Sequence, residues 1–119
     1  MHKDEVRVAL ENFDSRMKEL QETLSPRILT GGEKDKARLL YTRLKDDLKT
    51  AARYGTLDGA RRPRSPEEDA LYQPAVVGAL SHLRPATNSD PCTSNWAGSI
   101  YDARIDVTNM LAQLAGGSD

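Results

Sequence analysis

Two histidines, one cysteine and a pair of aspartates one helical turn apart are the residues whose types invite chemistry in this sequence. His2 sits at a chain end, where fraying is the rule, and His82 has no second histidine near it. A structural zinc site needs four ligands of the Cys or His type, and carboxylate-bridged di-iron sites in bundles use Glu-x-x-His pairs, which this sequence lacks. No metal and no cofactor are therefore expected. Cys92 lies in a polar stretch with Asp90 nearby but no local histidine or cation to stabilise a thiolate, so it reads as a spectator thiol. Asp102 and Asp106 share one edge of a helix, but paired carboxylates without a histidine or a second pair read as solvated surface charges. Asp46 and Asp47 receive the same reading.

Phosphotransfer chemistry on His82 fits no better. A phosphorylated histidine in a helical bundle is followed by a His-x-x-Lys-Gly pattern, whereas here the chain runs His82, Leu83, Arg84, Pro85. Proline stands in the place of the lysine and ends the helix within a turn. His82 is expected near a helix C-terminus, on the surface or half buried, where the helix dipole favours its cation. The serines form no Gly-x-Ser-x-Gly elbow, and Gly31-Gly32 is not followed by the Lys-Ser/Thr of a phosphate-binding loop. The chain is read as non-enzymatic.

Charge gives a second kind of candidate. Seventeen basic and eighteen acidic side chains leave a net charge of -1, so no global field draws the protein to nucleic acid, lipid or an acidic substrate. Any such partner requires a local patch, and one exists: Arg53, Arg61, Arg62 and Arg64, with Lys45 and Lys49 one or two turns back. This cluster fits a solvated loop first, an acidic protein face second and nucleic acid third. Glu67, Glu68 and Asp69 follow directly, and no aromatic residue is interleaved for base stacking.

The elements that must carry these residues follow from apolar spacing. Val6, Leu10, Phe13, Met17, Leu20 and Leu24 recur every three or four residues, which aligns them on one face of a first helix ending at Ser25-Pro26. Thr30 and Glu33 have capping-box spacing and start a second helix near Gly31. That helix carries Ala37, Leu40, Tyr41, Leu44, Leu48 and Ala51 to about Tyr54, with Gly55 as terminator. Residues 55–64 read as an exposed loop. Ser65, Pro66 and Glu68 combine an N-cap, a proline at N1 and a capping-box glutamate to open a third helix. Pro74 should kink or split it, because it lacks an amide donor and crowds the carbonyl of Ala70. Val76, Val77, Leu80 and Leu83 continue its apolar face. Trp96, Ile100, Ala103, Val107, Met110 and Leu114 define a fourth helix, stopped by Gly116-Gly117. Its start is ambiguous, since Asp90-Pro91 could cap an early turn.

Short connections make sequential helices antiparallel neighbours, so the expected fold is one all-α domain over residues 1–119, an up-and-down four-helix bundle. For a 13.2 kDa chain, folding should bury roughly 12,000 Å², enough for a core without covalent staples. A lone cysteine, no apolar run long enough to span a membrane and no secretory signal point to a soluble, cytoplasmic protein.

The fourth helix is apolar on more than its inward side. Tyr101, Ile105, Thr108 and Ala112 form a second stripe, with Leu111 between the two. Either this helix is central in the bundle or another chain covers its outer face. The functional expectation is an interaction module that binds another protein, as a homodimer or as a small adaptor, inhibitor, immunity or toxin-neutralising partner. Tyr101, Ile105, Leu111 and the arginines 61, 62 and 64 are its contact residues. The alternative is a nucleic-acid-associated protein using the arginine-rich loop.

Overall fold

In the computed structural model, described for residues 2–25, 28–54, 65–92 and 94–116, the chain forms four helices: α1 His2–Leu24, α2 Gly31–Tyr54, α3 Pro66–His82 and α4 Ser94–Gly116. Each consecutive pair packs together, α1 closes onto α4, and α1 also reaches α3 across the middle. The result is a four-helix bundle. The α2–α3 pair runs antiparallel: Gln73 Nε2 donates to the carbonyl of Ala52 near one end, and Tyr41 donates to the carbonyl of Pro85 near the other.

The apolar spacing seen in the sequence is the core. Val6, Leu10, Phe13, Met17 and Leu20 of α1, Tyr41, Leu44 and Leu48 of α2, and Trp96, Ile100, Ala103 and Val107 of α4 are all buried. Leu24, Leu40 and Met110 are only partly buried, at the edges of their seams. Truncating a core aromatic such as Phe13 or Trp96 to alanine would cost about 3–5 kcal/mol, because neighbours collapse only partly into the cavity.

Both capping boxes form. At α2, Glu33 N donates to Thr30 Oγ1 at 3.2 Å and Thr30 N donates to the Glu33 carboxylate at 2.9 Å. Hydrogen bonding from the Thr30 backbone N–H, then from the Thr30 side chain, holds the Glu33 carboxyl below its ordinary range. At α3, Glu68 N donates to Ser65 Oγ at 3.2 Å and Ser65 N donates to the Glu68 carboxylate at 2.8 Å, with the Glu68 side chain fully buried.

Three expectations are corrected. Helix α3 runs as one element through Pro74, so the split is absent and no kink is shown. Pro74 and Ala70 are both exposed, and a carbonyl left without a donor is least costly on the solvent side of a helix. Val77 does not join the apolar face; it is 44% exposed, and Leu83 closes the core as the helix C-cap instead. Asp90-Pro91 does not start α4. It belongs to a turn, with Asp90 Oδ1 accepting from Cys92 N, and the helix begins at Ser94. The expected terminators Gly55 and Gly117 lie outside the described residues.

No helix among the described residues is long and apolar enough to cross a membrane.

Candidate functional site

The outer stripe of α4 begins with how α4 is held. Arg104 lies on the side of the helix turned to α1, one turn from Ile100 and Val107 of the seam. Its Nε and Nη2 donate to the two Asp14 carboxylate oxygens at 2.6 and 3.4 Å, and its Nη1 donates to Gln21 Oε1 at 2.8 Å. The guanidinium thus spans two turns of α1. The Asp14 hydrogen bond is the main reason its pKa is raised further. A planar fork held at three points fixes both register and rotation of α4 against α1.

Beside this anchored guanidinium, Tyr101, Ile105 and Thr108 line a shallow groove of about 240 Å³. Tyr101 is 60% exposed and Ile105 38%. The Thr108 hydroxyl is occupied by the helix carbonyls of Arg104 and Ile105. Leu111 is placed differently from the other two proposed contact residues, being partly buried against the core. The other large exposed apolar residues among those described are Val8 on α1, Ile28 between α1 and α2, Leu39 on α2 and Val77 on α3, one to each. Single exposed apolar side chains are ordinary, whereas two adjoining ones around a groove are a surface with a direction.

Arg61, Arg62 and Arg64 lie outside the described residues. The described part of the same basic cluster is the row Lys45, Lys49 and Arg53 on α2, a helix with seven basic against four acidic residues. Lys45 is not simply solvated. Its Nζ lies 3.4 Å from the Pro85 carbonyl and 5.6 Å from the centre of the Tyr41 ring, and burial, then the Lys49 charge, lowers its pKa.

Several residues read as solvated charges have partners. Asp47 pairs with Arg16 at 2.8 Å across α1 and α2. His82 is half buried at the end of α3, as expected, but its Nε2 sits 3.2 Å from Asp106 Oδ2 on α4. Asp106 reaches that position because Gly78 leaves its flank bare. Spacing within one helix could not reveal these pairs, since each joins two helices.

The connection between α3 and α4 was read only as a polar loop, and it is built more firmly than that. Tyr41 Oη donates to Pro85 O at 2.8 Å, Arg38 Nε to Ser89 O at 3.2 Å, and Trp96 Nε1 to Ser89 Oγ at 2.8 Å; Lys34 lies 3.6 Å from Asp90. The Tyr41 and Trp96 rings meet beneath it at 4.3 Å between centroids, joining α2 to α4 across the bundle. Cys92 is exposed in this connection as a free thiol.

Among the described residues no group of three or more metal-ligating side chains occurs. No family model, curated protein or solved structure matches the chain.

Proposed function

We propose that this bundle is a non-enzymatic interaction module whose contact surface is the outer face of α4. The observation that carries the reading is the adjacency of Tyr101 and Ile105, both exposed, beside an Arg104 already neutralised by Asp14. An apolar pair next to a satisfied charge can be covered by another protein without stranding that charge. The groove is preformed because Arg104 fixes the rotation of α4, so little ordering remains to oppose binding. Covering Tyr101 and Ile105 would contribute on the order of 3–5 kcal/mol before association costs, which anchors an interface without defining it. A small adaptor, inhibitor or toxin-neutralising protein, or a self-associating one, works in this way.

The test compares the wild-type chain with Ile105→Asp, using Val8→Asp as an exposed apolar control on α1. Light scattering after size exclusion reads self-association, and isothermal titration with a co-purified protein reads hetero-association. Loss of association in Ile105→Asp alone supports the reading; equal association in all three chains removes it.

A second reading is favoured by the α2 row. Lys45 and Lys49 are close enough to oppose each other's charge, Arg53 continues the row on α2, and the arginines 61, 62 and 64 follow in the sequence. A nucleic acid laid along it would bind with a steep salt dependence, lost on replacing those three arginines by alanine. A flat salt response speaks for the protein-binding reading instead.

A further inference from the structure

Helix α3 has 17 residues against 23 or 24 in the other three helices. Its last residue, His82, faces Asp106 in the middle of α4. The N-terminal half of α4 therefore runs on past the end of α3. The chain that follows α3 is bonded on both sides, to Tyr41, Lys45 and Arg38 of α2 and through Ser89 to Trp96 of α4, and it does not fill all the space beside α4. What remains is a cleft of about 450 Å³ lined by Arg84 and Pro85 of the connection and Asn95, Gly98, Ser99 and Asp102 of α4.

The cleft lies within the size range of small-molecule sites, and four of the six residues named above carry polar side chains. Asn95, Ser99 and Asp102 follow one another at helical spacing and present an amide, a hydroxyl and a carboxylate along one edge of α4. Gly98 has nothing within 4 Å of where a Cβ would stand, so that wall is open to a ligand. Arg84 supplies a cation from the connection and Asp102 an anion from α4. Among the described residues, neither side chain has an ion-pair partner within 4 Å. An opposite pair that lines one cleft without closing on itself matches a ligand carrying both charges.

We propose that this cleft binds a small zwitterion of the α-amino-acid type, its carboxylate on Arg84 and its ammonium on Asp102, with Asn95 and Ser99 completing the hydrogen bonds. The cleft shares no lining residue with the groove at Tyr101 and Ile105, and its ligand does not depend on the function proposed above.

The test is a titration of the ¹⁵N-labelled full chain with L-serine, L-glutamine and L-leucine in turn, followed by amide shifts. Saturable shifts at Gly98, Ser99 and Asp102 are expected. The matching amine without its carboxylate, and the matching acid without its amine, should each bind at least about tenfold more weakly, the loss expected for one missing charge-assisted hydrogen bond. Arg84→Ala and Asp102→Asn should give the same loss while keeping the wild-type melting temperature, since both side chains are exposed. Absence of saturable shifts into the millimolar range overturns the proposal. So does binding of the acid alone as tightly as the amino acid, or wild-type affinity in either variant.

Discussion

Asp106 Oδ2 lies 2.6 Å from the position that a Cβ on Gly78 would take, and the same oxygen is 3.2 Å from His82 Nε2. One carboxylate thus occupies the gap a glycine leaves on α3 and meets the histidine one turn further along. The absence of a side chain on one helix decides where a side chain on the next can go.

Gly78→Ala should show this coupling. In an exposed helix interior the change stabilises by about 1 kcal/mol. Here Asp106 must swing aside and give up His82, so the expected gain in the wild-type background is near zero. In an Asp106→Ala background the full gain of about 1 kcal/mol should return. Urea unfolding of the four chains of the cycle measures it, and additive effects would show that the two residues act independently.

Tyr41 gives the pH dependence. Burial pushes its phenol up to about 12 from an ordinary value of 10.0. A raised folded-state value means that the stability contributed by keeping the phenol protonated is complete below pH 10. It declines as pH rises toward 12, because the unfolded chain releases the proton first. Thermal melts at increasing alkaline pH should show this decline in the wild type and much less of it in Tyr41→Phe. At neutral pH the same variant should lose about 1 kcal/mol with the hydrogen bond to Pro85.

Trp96 is the single tryptophan of the chain and reports on the α3–α4 connection through its bond to Ser89 Oγ. Ser89→Ala leaves the indole N–H without that acceptor in a buried site and should destabilise by about 1–2 kcal/mol. Tryptophan emission of the folded state should shift at the same time. Unchanged emission and stability would mean that the connection is not held through this bond.

Ile105 and Val107 are two positions apart on α4 and face opposite ways, one 38% exposed and the other fully buried. Val107→Asp should fail to fold, as a buried unpaired carboxylate exceeds what a small domain tolerates. Ile105→Asp should keep the helical circular dichroism spectrum and a melting temperature within a few degrees of the wild type. Equal unfolding of both variants would mean that Ile105 serves the core rather than an outer surface.

What the sequence determined by itself is whatever depends on spacing within one helix. The apolar seams of α1 and α4, both capping boxes and the starts of α2 and α3 follow from side chains three or four residues apart, which share a helix face wherever that helix sits. Tyr101 and Ile105 were legible as an outer stripe for the same reason. Pro74 was not decided by local rules, because whether a proline divides a helix depends on its surroundings, and here α3 continues through an exposed Pro74 with an exposed Ala70 one turn back.

Only the tertiary structure decided what faces what across helices. Arg104 on Asp14, Asp106 against His82 over Gly78, and Tyr41 beneath Trp96 join residues far apart in the chain, with nothing local to announce them. The cleft at Arg84 and Asp102 belongs to the same class. It exists because α3 stops short while α4 continues, and a difference in helix length becomes a space only when the helices lie side by side.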